Sequence, residues 1–136
     1  MSRYIPDTIR QLVAQRARYC CEYCHLPQAA SYYSFEIDHI ISLKHEGMTD
    51  LENLALACGA CNRNKGADIG TYLDGNRVFV PLFNPRSDVW AEHFKVENGV
   101  LLPESLIGRA TVKILDFNAP DRIILRQALV EAGLYP

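Results

Sequence analysis

Two matched cysteine pairs, Cys21-Glu22-Tyr23-Cys24 and Cys58-Gly59-Ala60-Cys61, constrain this chain more than any other feature. Two thiols three positions apart grip one metal ion from a tight knuckle, and two knuckles supply the four soft ligands of a closed tetrahedral zinc site. Thirty-three residues separate the pairs, enough for a hairpin to leave and return. The spacing therefore predicts that two distant stretches meet at one ion, and zinc brings no redox chemistry to disturb the fold. Using Cys20 in place of Cys21 gives a looser Cys-x3-Cys spacing, so Cys20 reads instead as a small packed side chain. One tetrad also explains two matched pairs better than separate redox dithiols do.

With 136 residues, one domain with a modest core is the default. Five cysteines suit a reducing compartment if four of them bind metal. No apolar run approaches the ~20 residues of a membrane span, and Met1-Ser2-Arg3-Tyr4-Ile5-Pro6-Asp7 lacks the apolar centre of a secretory signal. A cytoplasmic protein away from membranes is the simplest reading. The net charge of −2 does not advertise a nucleic-acid binder. Any such affinity has to come from a local patch and from bound metal.

Along the chain, Ile5, Ile9, Leu12, Val13 and Ala17 form an apolar stripe that predicts a helix over 7–18. A knuckle follows from Cys20 to Pro27. The stretch 35–41 reads as a strand, with Phe35, Ile37, His39 and Ile41 on one face and Glu36, Asp38 and Ile40 on the other. Asp50 caps a short turn, Leu54-Ala55-Leu56-Ala57 runs extended into the second knuckle, and a helix is expected from Asn62 to about Ala67. After Gly66, Asp74-Gly75 and Asn98-Gly99 are hairpin signals. Two helices close the chain. One spans about 105–117, with Ile107, Ala110 and Ile114 inward. The other is capped by Asn118, buries Leu125, Ala128, Leu129 and Ala132, and stops at Gly133.

The reactive side chains lie between and just after the knuckles. Asp38 offers a carboxylate oxygen suited to a hard divalent ion such as magnesium or manganese. His39 offers an imidazole that can take a proton from water. Asn62 offers an amide oxygen, Asn53 can hold the loop between the strands, and Lys65 and Arg63 can point towards a phosphate. A plainer reading stands beside each: Asp38-His39 as a hydrogen-bonded core pair, Asn53 as a turn residue. Trp90 and His93 read as tail packing, His45 as a solvated loop residue, and His25 as surplus to a full tetrad.

The ordered set Cys21-Glu22-Tyr23-Cys24, Ile37-Asp38-His39-Ile40, Asn53-Leu54 and Cys58-Gly59-Ala60-Cys61-Asn62-Arg63-Asn64-Lys65-Gly66 resembles the HNH endonucleases, the ββα-metal type with a four-cysteine zinc site. The likeness runs from about Arg16 to Gly70. Later stretches, among them Pro81-Leu82-Phe83-Asn84-Pro85-Arg86 and Trp90-Ala91-Glu92-His93-Phe94, are similar to a bacterial branch of those proteins. The resemblance implies an α+β fold: a ββα-metal (His-Me finger) core around the four-cysteine zinc site, an N-terminal helix over 7–18, and a hairpin and two-helix extension over 71–136, all one domain. It implies cleavage of DNA phosphodiesters with structural Zn2+ and catalytic Mg2+ or Mn2+. His39 matches the general base, Asn53 the loop-fixing residue and Asp38 a ligand of the catalytic ion. Asn62 stands where the last His of the family ligates that ion, so the chain is an H-N-N variant. Two rival readings are a zinc-stabilised nucleic-acid-binding module with an inactive cleavage site and a protein-binding zinc knuckle. Nicking and double-strand cutting, and monomer and homodimer, all stay open.

Overall fold

The structure is a computed structural model that describes residues 4–75 and 77–136. It divides into two compact units, Met1–Ile69 and Gly70–Pro136. Both mix helices with short antiparallel strand pairs, so the class is α+β.

In the first unit, helix α1 (Asp7–Arg16) starts after Pro6, places Asp7 at the positive end of its dipole, and buries Val13. It packs against strand β2 (Leu54–Ala57). The apolar stripe is narrower than the periodicity implies: Val13 is fully buried, while Leu12 is 48% exposed. The helix stops at Arg16, two residues short of expectation, because Arg18 and Tyr19 both take positive φ. Arg16 turns back to donate from its two terminal nitrogens to the carbonyls of Leu51 and Leu54 at 2.9 and 2.6 Å. The chain then enters the first knuckle, and Glu22 clamps that knuckle to β2. Its N–H donates to Leu56 O at 2.8 Å and its carboxylate accepts Leu56 N–H at 2.8 Å.

Strand β1 (Glu36–His39) pairs antiparallel with β2, with Asp38 opposite Ala55 and His39 opposite Leu54. It is shorter than the 35–41 expected. All four β2 residues are buried, and its two alanines leave room for neighbours on both faces. Helix α2 (Gly59–Lys65) packs on β1. Strand, loop, strand, helix is the expected ββα order, but α2 begins three residues before Asn62. The Cys58 sulfur accepts the Cys61 N–H and so acts as the N-cap.

In the second unit, β3 (Gly70–Tyr72) pairs with β4 (Phe79–Pro81), and β5 (Phe94–Glu97) with β6 (Val100–Pro103). Asn98 and Gly99, at φ 52° and 79°, make the two-residue turn their sequence signals. The Asp74-Gly75 turn opens a longer loop, in which Asn76 lies outside the described residues. Helix α3 (Leu106–Ile114) is capped by the Ser105 hydroxyl. It buries Ala110 as expected and Thr111 as well, while Ile107 and Ile114 are only half-buried. Helix α4 (Pro120–Glu131) begins at Pro120 rather than under an Asn118 cap. The Asn118 amide instead pairs with both backbone groups of Leu101, at 2.9 and 3.0 Å. Of the four α4 residues expected inside, only Leu129 is buried. Arg126 takes the interior place, donating to the carbonyls of Gly99 and Phe117 at 2.7 and 2.6 Å.

Candidate active site and metal centre

Each knuckle aims a backbone N–H at its own first sulfur: Cys24 N to Cys21 Sγ at 3.5 Å, and Cys61 N to Cys58 Sγ at 3.4 Å. The four sulfurs lie within 4.8 Å of one another and all four residues are buried. Cys24 and Cys58 Sγ are 3.7 Å apart. That is far from the ~2.05 Å of a disulfide and close to the ~3.8 Å edge of a tetrahedron with Zn–S bonds of ~2.3 Å. Burial pushes the Cys21 and Cys61 thiols well up. Hydrogen bonding from Cys21 leads the effects that pull Cys24 and Cys58 down. Buried sulfurs so split can become four thiolates only around a cation, and the donor set fits zinc. Cys20 stands outside the cluster, half-buried.

Beside this centre an open cleft of about 340 Å³ is lined by Asp38, His39, Ser42, Lys44 and Asn62, with Gly66 and Ala67 at the end of α2. Asp38 and His39 project to opposite sides of β1 yet reach the same cleft, because His39 is the last residue of the strand. His39 Nε2 lies 2.9 Å from Thr49 Oγ1. The loop carrying Thr49 is pinned by Asn53, whose Oδ1 accepts Ile41 N–H at 2.8 Å. Its Nδ2 donates to the Ile41 and Met48 carbonyls at 2.9 and 2.8 Å. Only glycine fits at position 47, since a Cβ there would sit 1.7 Å from Ile41 O. At the other end, Ser42 Oγ donates to Ala67 O at 3.1 Å, tying the loop to the segment after α2.

Asp38 is 4% exposed. Tyr23 donates its hydroxyl to Oδ2 at 2.6 Å, and the Lys65 ammonium lies 3.1 Å from Oδ2 and 3.3 Å from Oδ1. Burial pushes the Asp38 carboxyl above its ordinary range, opposed by the Lys65 charge and the Tyr23 hydrogen bond. Lys65 also donates to the His39 carbonyl at 3.0 Å. Lys65, read from sequence as able to point towards a phosphate, is 2% exposed, with its ammonium held by Asp38 and the His39 carbonyl. Arg63, two residues earlier on α2, is exposed. Tyr23, Thr49, Ser42 and Lys44 were not singled out from sequence. The one available signal was Tyr23, since a phenol wedged between two buried metal ligands needs a hydrogen-bond partner.

A ββα core with a four-sulfur centre and these residues on one cleft defines a class. Residues 21–68 match the HNH endonuclease family model, a match that implies a nucleic-acid-related function for this segment. Among curated proteins, the Septu protein PtuB of Bacillus thuringiensis is 26% identical over 129 residues. The match covers 93% of this chain and 46% of that relative, so the chain spans less than half the relative's length. No solved structure matches. Among the described residues no helix is long and apolar enough to cross a membrane.

Proposed function

We propose that this chain is a metal-dependent endonuclease that hydrolyses DNA phosphodiester bonds. The observation carrying this reading is that Asp38, His39 and Asn62, from two different elements, line one open cleft under a loop pinned by Asn53. Asp38 and Asn62 offer a carboxylate and an amide oxygen, a hard donor set that fits Mg2+ or Mn2+. When bound, such an ion neutralises charge building on the phosphate and the leaving oxygen.

His39 takes the proton from the attacking water. Thr49 Oγ1, 2.9 Å from Nε2, orients the ring. Asn53 holds the loop so that Thr49 and His39 keep that register. Exposed Lys44 and Arg63 supply the local positive charge that the acidic total lacks. A cytoplasmic setting goes with this reading, because the thiolate centre needs reduced cysteines.

Supercoiled plasmid incubated with Mg2+, Mn2+ or EDTA tests the proposal. His39→Ala should nick ~10²–10⁴-fold more slowly while keeping its zinc and melting temperature. A His39→Ala protein as active as the parent refutes the assignment. A second reading, a nucleic-acid-binding module with an inactive cleavage site, is favoured by the Lys65 ammonium already standing against Asp38. A mobility shift without metal-dependent cutting selects it.

A further inference from the structure

We infer that Tyr23 is a positioning residue for the reaction: from inside the zinc knuckle, its hydroxyl holds the Asp38 carboxylate in the orientation that serves the catalytic cation. The inference rests on the nuclease reading above.

Tyr23 is fully buried between Cys21 and Cys24, so the closed knuckle fixes its ring. Its hydroxyl reaches 15 residues along the chain to Asp38 Oδ2 at 2.6 Å. This is a short charge-assisted hydrogen bond. The other donor to the same carboxylate is Lys65, which approaches both oxygens from α2. The two donors come from different elements and pull differently. Lys65 is a cation that can satisfy both oxygens by itself and competes with a metal ion for them. Tyr23 is neutral and occupies one direction on Oδ2 alone. A carboxylate has about four acceptor directions; with Lys65 against both oxygens, the Tyr23 bond to Oδ2 adds a second, fixed anchor that sets the orientation of the carboxylate and still leaves acceptor capacity for an ion. The same geometry gives the metal-bound knuckle a direct mechanical hold on the reactive cleft. Zinc need not touch substrate to matter to the rate.

Tyr23→Phe removes the hydroxyl and keeps the ring. The purified parent, Tyr23→Phe, and Tyr19→Phe as an exposed-tyrosine control are compared for zinc content, melting temperature, calorimetric Mn2+ binding without DNA, and plasmid nicking across Mn2+ concentrations. Tyr23→Phe should keep its zinc, bind Mn2+ ~10–100-fold more weakly, and show the same KM for plasmid with a lower kcat. Raising Mn2+ should recover the rate, which a merely misfolded site would not allow. Tyr19→Phe should match the parent. Lys65→Met, which removes the competing cation, should bind Mn2+ at least as tightly as the parent, and gives a test that stands if Tyr23→Phe fails to fold.

Mn2+ affinity and kcat unchanged in a folded Tyr23→Phe, or weaker Mn2+ binding in a folded Lys65→Met, overturns the inference while leaving the nuclease reading intact. A parent that neither binds Mn2+ nor nicks sinks the nuclease reading, and the inference with it.

Discussion

The two halves of this chain solve the problem of a small core in opposite ways. Unit Gly70–Pro136 buries rings: Phe94 touches Phe83, Trp90 and Phe117 with centroids 5.6, 5.0 and 5.5 Å apart, backed by Leu101 and Leu115. Its buried polar groups, Thr111 and Arg126, are hydrogen-bonded to backbone within the unit. Unit Met1–Ile69 places sulfurs and charges where the other places rings. Four cysteines, Tyr23, Asp38 and Lys65 are all buried, and both of its strands are four residues long. An apolar core is stable once folded, whereas four clustered thiolates repel one another unless a cation lies between them. On the proposed reading, the half that carries the chemistry is also the half whose folding depends on a ligand.

The largest expected effect follows directly. Structural zinc contributes ~10–16 kcal/mol in small domains, so Cys58→Ser or strong chelation should unfold the first unit at room temperature and leave the second standing. The chain has a single tryptophan, Trp90, and it lies in the second unit. Its fluorescence should stay native while the absorption bands of a cobalt-substituted tetrad disappear. Simultaneous loss of both signals breaks the contrast. Phe94→Ala is the reciprocal lesion. It should cost about 3–5 kcal/mol by cavity formation, read as a lower denaturation midpoint of Trp90 fluorescence with metal content unchanged.

Asn53→Ala sharpens the picture inside the first unit. Three hydrogen bonds across the 41–48 loop are lost, a cost of about 2 kcal/mol in melting measurements. Nicking should fall more steeply than stability, because Thr49 and His39 lose their register. His25 supplies the smallest effect. Burial lowers its pKa to about 4 from 6.5, so the unfolded chain binds its proton more tightly than the folded one. The stability it confers is complete above pH 6.5 and drains as pH falls from 6.5 towards 4. Between pH ~7.5 and ~5.5 the zinc-loaded parent should lose about 1 kcal/mol more than His25→Gln. Parallel loss in the two proteins contradicts that role.

What could be read in advance tracks how local the physics is. The tetrad followed from ligand count and spacing, and the Asn98-Gly99 turn from the positive φ both residues tolerate. Strand, loop, strand, helix followed from the apolar alternation around Asp38 and the knuckle that ends β2. The start of α2 was misplaced because the cap is a sulfur, outside the usual Ser, Thr, Asp and Asn set. Leu12, Leu125 and Ala132 were placed inside because periodicity marks a face but not its width. Lys65 was read as able to point towards a phosphate; its burial against Asp38 and the His39 carbonyl depends on partners 27 and 26 residues away. The Tyr23 bond to Asp38 and the Asn118 bonds to Leu101 are likewise long-range matches that no local pattern announces.

In the mechanism proposed above, Asp38 and Asn62 share one ion beside His39, distinct from the ion held by the thiolates. Anomalous diffraction from crystals grown with Mn2+, collected at the manganese and zinc edges, addresses it directly. The expected result is a zinc peak among the four sulfurs and a separate manganese peak within bonding distance of the Asp38 carboxylate and the Asn62 amide oxygen. Manganese bound elsewhere, or a cleft in which Asp38 stays locked to Lys65 with no ion at saturating Mn2+, would contradict it.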